Sequence, residues 1–509
     1  RPGPDTAVPA AVSAGLLRAD AVVVGGGLAG LWAVLHFPPE WDVLVVDKGS
    51  GPDLGSSPWA QGGMAVAVHP DDSPELHAQD TIRAGAGACN EAAVEVLVSE
   101  APSALEELVA LGCAFDTTGG GSFDLNREGG QSVARSVHAT DATGREIMRV
   151  VVPAAQRLAR RIVGPATRLL VDDGRCAGVR VVTEHGDLDV VGRTTLLAVG
   201  GCGALYEATT NPESATGDGI ALAWEAGAAV ADCEFIQFHP TALGTGGTRR
   251  VLLTEALRGE GAIVVDESGK RFLLDVHPDG ELAPRDVVAR AIAERASAFL
   301  DARPIGADQV RTRFPNITAA VAEHGFDLTS EPVPIAPAAH YFLGGVATDV
   351  EGRTTIPGLY AAGECAATGV HGANRMAGNS LTEAVVFGRR AALAMAHDIR
   401  PGAPHAPEPD TDGPGAVRLV RPTHMEDLRA AMSGGVGLIR SEKSLAQAEA
   451  VAQEIMRNAT GAVRAAAVAA GLVCESARKR IESRGVHFRS DHPFLNEEWD
   501  GQHVTLRPE

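Results

Sequence analysis

Three glycines and an acid carry the first legible chemistry of this sequence. Gly25, Gly27 and Gly30 form G-x-G-x-x-G between AVVV and LWAVLHF, and Asp47 closes the next apolar run, VLVV. Glycines at that spacing let the main chain approach a pyrophosphate. A helix start supplies N–H groups, and an acid ending the second strand accepts from ribose hydroxyls. The spacing therefore predicts a dinucleotide site. Further along come other small-residue turns, each with a polar group. They are SSPWAQGG, with Gln61, Gly62 and Gly63, then TGDG with Asp218, AAGE with Glu364, and GNSL with Asn379. Scattered in this order, they suit a large cofactor gripped along its length. The stretch HGANRMAGNSLTEA, from His371 to Ala384, also crowds a histidine, an arginine and two asparagines around small residues. Such residues are costly in a core unless something there pairs with them.

These groups need elements to position them. From Ala21 the pattern reads strand, glycine turn, helix, strand, a βαβ unit. Residues 1–20 read as a flexible tail without the apolar core of a signal peptide. Two later stretches, TTLLAVGGCG (194–203) and GLYAAGECAATG (358–369), repeat the strand-then-glycine theme. Between them, residues 241–343 carry weaker strand signals and read as an inserted domain, which leaves 21–240 and 344–399 for the dinucleotide-binding domain. Residues 400–415 have linker composition, and 416–509 turn helical, with an Ala/Glu/Arg-rich run from Ser444 to Ser483 that predicts a small bundle.

A chain of 509 residues with 45% hydrophobic and 21% charged content is ordinary globular material for two or three domains. Its net charge of -21 excludes nucleic acid as a partner and requires any anionic substrate to meet a local basic pocket. Seven scattered cysteines without a CxxC pair fit neither a disulfide framework nor a zinc site, so no metal and a cytoplasmic location are expected. The longest apolar run, AVVVGGGLAGLWAVLHF, carries four glycines and falls short of a membrane span.

The set VGGGLAGL, AQGGMAVAV, TNPESATGDG, EFIQFHPTAL, LLTEALRGEGA, APRDVVARAI, HYFLGGVATD, GLYAAGE and HGANRMAGNSL resembles the flavoprotein family of succinate dehydrogenases, fumarate reductases and L-aspartate oxidases. The likeness runs over residues 21–395 in that family's order, and ESRGVHFRSDHP in the tail is similar too. It implies an α/β fold: a Rossmann-like FAD-binding domain interrupted by an α+β capping domain over 241–343, followed by a C-terminal helical bundle. It implies FAD contacts from Gly25, Gly27, Leu28, Ala29 and Gly30, and from Asp47 and Lys48. Ser56, Ser57, Ala60, Gln61, Gly62 and Gly63 would follow, then Asp218 and Glu364, and last Asn379, Ser380 and Leu381. Membrane members tether FAD to a histidine before A-Q-G-G. Ser56 stands there, and no His occurs between Lys48 and Val68, so non-covalent FAD is expected.

A four-carbon dicarboxylate brings two negative charges into a partly dry site, and each needs charge-assisted donors, preferably a guanidinium fork. Arg285, Arg375, His239, His340 and Thr254 are the candidates, and the resemblance implies that these five line the substrate pocket. Glu255 and Arg258 stand three apart, on one face if helical. In fumarate reductases of the family the residues matching Arg285, Glu255 and Arg258 relay protons, so these are the expected catalytic residues. NREGGQS resembles a stretch of L-aspartate oxidases whose glutamate, here Glu128, orients the substrate amine. The resemblance thus implies oxidation of L-aspartate to iminoaspartate, hydride leaving for the flavin, with oxygen or fumarate as electron acceptor. This is the first step of quinolinate and NAD biosynthesis, with functional coupling to quinolinate synthase. A soluble fumarate reductase or succinate dehydrogenase flavoprotein is the alternative. Two positions depart from the pattern: Gln131 replaces a frequent histidine, and Gly378 a serine whose loss should be tolerated because the backbone makes the contact.

Overall fold

The computed structural model describes residues 15–49, 55–399 and 423–508. Its first elements are β1 (Gly15–Val24), α1 (Leu28–His36) and β2 (Val43–Asp47). β1 and β2 pair in parallel, Ala21 opposite Val43 through Val24 opposite Val46. Side chains on a strand alternate between faces. Accordingly Val22, Val24, Leu44 and Val46 join one hydrophobic cluster while Ala21, Val23, Val43 and Val45 join another. A sheet covered on both faces explains why these strands read as continuous apolar runs.

β1 begins six residues earlier than the sequence pattern placed it. Gly15 to Ala19 pair in parallel with Leu188 to Gly192 of the long strand Gly186–Leu197. Of the tail expected over residues 1–20, residues 15–20 are therefore strand, and residues 1–14 lie outside the described residues. The strand Ala159–Val163 extends the sheet beyond β2. Arg175–Thr183 and Ala166–Asp172 extend it antiparallel on the other side. Leu359–Ala361 pairs in parallel with the C-terminal half of Gly186–Leu197. One face is covered by α1 and the helix Asn379–Asp398, the other by Asp218–Glu225 and helices from the C-terminal part.

A second sheet joins Ile236–Leu243, Val333–Phe342, Ala298–Asp301 and Ile263–Val265 in that order, all antiparallel. Together with the helix Arg285–Ala293 it encloses a separate hydrophobic cluster that runs in sequence from Leu243 to Ile335. Two strands of this sheet, Ile236–Leu243 and Val333–Phe342, run between the cluster of the large sheet and this separate one.

The C-terminal part forms helices Thr423–Gly435, Glu442–Asn458 and Gly461–Lys479, the second opened by a reciprocal Ser441–Ser444 capping box. Their apolar faces enter the same cluster as the large sheet. After Lys479 the chain is no longer helical apart from one short turn, and Thr505–Leu506 pairs with Val230–Ala231. The proline-rich segment 400–415 lies outside the described residues. No described helix is long and apolar enough to cross a membrane.

Charge rather than apolar area ties the last segment down. Arg480, fully buried, donates to Glu234 at 2.5 Å and to Glu482 at 3.0 Å, while Arg484 donates to Glu482 at 2.8 Å. Removing one partner of a buried pair strands the other charge, at a cost of about 3–5 kcal/mol. Arg480→Met should therefore lower the unfolding free energy by about that amount in a denaturant titration, with Glu234→Leu/Arg480→Met recovering most of it. An unchanged midpoint in the single variant would contradict this assignment.

Candidate active site

The glycine turn is shaped by main-chain crowding. Gly25 sits at φ +112°, and a Cβ there would lie 2.2 Å from the Ala198 carbonyl oxygen. Only glycine turns the chain there, and α1 then starts at Gly27 with no side-chain cap. The first N–H of the helix, on Leu28, donates to Ser57 Oγ at 3.0 Å. Past β2, Lys48 Nζ meets Asp218 at 2.5 Å and joins the TGDG turn to the strand end. Asp47 pairs with Arg161 at 3.2 Å. A cavity of ≈ 500 Å³ opens here and runs past Ser56, Ser57, Ala60 and Gln61 to Arg285 and Arg375.

The residues at this end suit a dinucleotide. Small side chains line a helix N-terminus whose first N–H is met by Ser57, the Asp47 carboxylate faces the cavity, and the buried Gln61 Oε1 has no hydrogen-bond partner among the described residues. Glu364 also lines the cavity and accepts from the Phe342 N–H at 3.0 Å; burial pushes its carboxyl up to about 7. A protonated carboxyl there can donate as well as accept.

At the other end, two neighbouring strands deliver histidines. Gln237 pairs with Tyr341 and Phe238 with Ala339, so His340 is an extra residue in its strand. A second irregularity between His239 and Ala242 accommodates Pro240. Bulges re-aim side chains, and His239 and His340 both reach the cavity with ring centroids 5.0 Å apart. Burial first, and then Arg285, hold both imidazoles well below the usual histidine range, so they are neutral hydrogen-bonding groups at pH 7. Thr210 Oγ1 lies 2.7 Å from His340 Nδ1 and fixes that ring.

The guanidiniums are held less evenly. Arg285, first residue of its helix, donates Nε to Glu255 at 2.6 Å and Nη1 to Gln237 Oε1 at 3.0 Å. Arg375 donates Nη2 to Ser380 Oγ at 2.6 Å, but its buried Nε and Nη1 have no hydrogen-bond partner among the described residues. Burial and then Arg285 bring the Arg375 guanidinium down to about 10, still charged at neutral pH. Glu255 also accepts from the Gly129 N–H at 3.1 Å and lies 3.4 Å from Arg258. Burial pushes its carboxyl up, but Arg285 and Arg258 outweigh that and hold it below the usual range.

Glu128 lines the same cavity and is buried. Its Oε1 accepts from the Gly63 N–H at 3.3 Å. Burial and then Glu255 raise its proton affinity, against the opposing pull of Arg285.

The cavity therefore gathers Glu128, His239, Thr254, Arg285, His340 and Arg375 with Ser380 and Leu381. Four expected residues do not line it. Glu255 and Arg258 sit behind Arg285 as a buried chain, and Arg258 donates onward to the Glu281 carbonyl. Gly30 packs against the Gly25 carbonyl. Asn379 turns its side chain to His77 at 2.8 Å and Thr81 at 3.0 Å, anchoring the helix start from behind. Sequence reasoning missed Gln237, which also donates to Asn374 Oδ1 and the Arg375 carbonyl, each at 2.9 Å. Its signal was available: it stands two residues before His239, on the same face of an otherwise apolar strand.

Comparison with known proteins places this cavity. The FAD binding domain family matches residues 20–381, and the fumarate reductase flavoprotein C-terminal family matches 457–506. L-aspartate oxidase of Streptomyces coelicolor is 44% identical, aligned over 96% of this chain and 92% of that protein. The chain belongs to the L-aspartate oxidase family. L-aspartate oxidase of Caulobacter vibrioides is also 44% identical, over 95% of this chain and 96% of that one. Among solved structures, a variant of E. coli quinol fumarate reductase superposes with a TM-score of 0.86 at 28% identity, covering 97% of each chain. The α/β fold and its C-terminal helical region are those of this flavoprotein family, and the protein is an FAD-dependent oxidoreductase.

Within this family setting the glycine at 378 acquires a reason. Gly378 is the N-cap of the helix Asn379–Asp398 at φ +86°, and a Cβ would lie 2.8 Å from Ala65 Cβ. An L side chain there is strained, so glycine relieves the turn that brings Ser380 and Leu381 to the cavity.

The raised proton affinity of Glu128 yields a pH signature. Only its ionised form attracts an ammonium, and that form appears as pH rises through the raised pKa. KM for L-aspartate should fall on raising pH on the acid side, and Glu128→Gln should remove that dependence while leaving succinate affinity less affected. A parallel pH profile in wild type and variant would contradict it.

Proposed function

We propose that this protein oxidises L-aspartate to iminoaspartate, opening the quinolinate route to NAD, with electrons passed on to oxygen or fumarate. The observation that carries the reading is the Arg375 guanidinium, buried at the cavity with two of its nitrogens unpartnered among the described residues, beside Arg285 and together with Glu128. Two cations suit two carboxylates; the acid suits an ammonium, which succinate lacks.

Bound FAD supplies the acceptor for the hydrogen and electron pair that leave the α-carbon. Ser56 at the position where membrane relatives carry a tethering histidine supports non-covalent binding. Arg285 and Arg375 would hold the carboxylates, the neutral His239 and His340 and the Thr254 hydroxyl would add hydrogen bonds, and Glu128 would accept from the substrate ammonium. Fixing the substrate at three polar points presents one C–H to the flavin, and Glu128, whose proton affinity is raised, would take the ammonium proton whose loss frees the nitrogen lone pair before the hydride departs. Glu255 would keep Arg285 oriented, and Arg258 would extend the buried chain along which protons pass when fumarate is the acceptor. Fumarate carries the same two carboxylates, so the same cations would bind it. Iminoaspartate is hydrolytically fragile, which favours prompt use by a quinolinate-forming partner enzyme. The seven unpaired cysteines support a reducing, cytoplasmic setting.

Anaerobic mixing tests the reading. L-aspartate should bleach the yellow flavin rapidly, while D-aspartate and succinate should not. Arg285→Leu should slow bleaching by about 10²–10³-fold with FAD still bound. Rapid bleaching by succinate and none by L-aspartate would favour a fumarate reductase or succinate dehydrogenase instead.

A further inference from the structure

We propose that Gln131 is a positioning residue for recognition of the substrate amine, clamping the Glu128 loop to the segment that carries Arg375. The proposal rests on the reading of Glu128 as the ammonium partner. Gln131 is 3% exposed, and both ends of its amide are occupied. Its Oε1 accepts from the Glu128 N–H at 3.0 Å. Its Nε2 donates to Ser136 Oγ at 2.9 Å and to the Ala377 carbonyl at 3.3 Å. The main chain closes the loop around it, with the Gln131 N–H donating to the Glu128 carbonyl at 3.2 Å and Arg127 Nε to the Gln131 carbonyl at 2.9 Å.

One side chain thus joins three segments that meet at the cavity. Ser136 lies in a short strand paired with Met64–Ala65, directly after Gly63, whose N–H holds the Glu128 carboxylate. Ala377 stands two residues after Arg375, and the next carbonyl, on Gly378, accepts from the Ala65 N–H at 3.2 Å. Glu128 is therefore fixed twice, by Gly63 on its carboxylate and by Gln131 on its main chain. The same amide ties that main chain to the turn holding the carboxylate-binding arginine. The distance between ammonium site and carboxylate site is set by this clamp.

Glutamine suits the place chemically. It offers an acceptor and two donors on a neutral planar group. A glutamate would lose the donors and add a third carboxylate near Glu128 and Glu255. A leucine would fill the space but leave the Glu128 N–H and the Ala377 carbonyl unpaired.

The experiment compares wild type, Gln131→Leu and Gln131→His as FAD-loaded proteins, measuring KM and kcat for L-aspartate and for fumarate, thermal midpoint and flavin absorbance. Gln131→Leu should raise KM for L-aspartate about 10-fold while changing KM for fumarate less than about 2-fold. Gln131→His, which keeps a donor and an acceptor, should return KM for L-aspartate to within about 3-fold of wild type. If the leucine variant does not retain FAD, Gln131→Asn, one methylene too short, is read by the same ratio and should move it in the same direction. Equal changes for both ligands, or a lower thermal midpoint with an unchanged aspartate-to-fumarate ratio, would reduce Gln131 to a packing role and overturn the proposal. Wild-type protein that turns over no L-aspartate would overturn the substrate reading and this inference with it. Wild-type turnover with an unaltered ratio in the variants would overturn this inference alone.

Discussion

This protein is defined by a buried guanidinium, Arg375, with no hydrogen-bonded anion among the described residues, standing near a second, Arg285, that is already paired with Glu255. Arg258, Arg285 and Arg375 are all buried near one another, and the carboxylates set against them are Glu255, held ionised, and Glu128, whose charge burial disfavours. Arg375 bears the excess, since its Nε and Nη1 find no hydrogen-bond partner among the described residues and its charge is disfavoured by burial and by Arg285. A site left short of negative charge in a low-dielectric setting stores binding energy for a ligand that brings that charge. The strongly acidic chain as a whole would repel such a ligand, so the attraction has to be local.

The architecture exists to hold that imbalance in place. Arg285 begins the helix Arg285–Ala293, which packs with the antiparallel sheet, whereas Arg375 belongs to the turn before the helix Asn379–Asp398, which covers the large sheet. Gln237 bridges them, accepting from Arg285 and donating to the Arg375 carbonyl. The paired strands Ile236–Leu243 and Val333–Phe342, which span both hydrophobic clusters, carry the bulges that bring His239 and His340 to the same cavity. The site thus sits at the seam between two cores, where small shifts of one body against the other would change the spacing of the cations.

Much of this was legible in the sequence, for identifiable reasons. The glycine turn and the apolar strands around it announce themselves, because a sheet buried on both faces leaves no polar alternation to confuse with a helix. The charged pocket residues stand out because nothing local explains them. Other features depend on contacts distant in sequence. GLLRAD does not read as a strand, yet it pairs with Leu188 to Gly192 and becomes one. The bulge at His340 is a property of two strands together and has no signature in either alone. Gln237 hid as a single polar residue in an apolar run. The C-terminal helices were readable from their composition, but their burial against the large sheet, and the pairing of Thr505–Leu506 with Val230–Ala231 in a separate small sheet, were not.

The central claim is that a pair of buried cations selects a doubly charged ligand. Calorimetric titration of the FAD-loaded protein with succinate and with butyrate, at matched ionic strength, tests it most directly. The two ligands share a four-carbon chain and differ by one carboxylate, so succinate should bind at least about 100-fold more tightly. Equal affinities for the two would mean that the arginines do not act as a pair, and the account would fall.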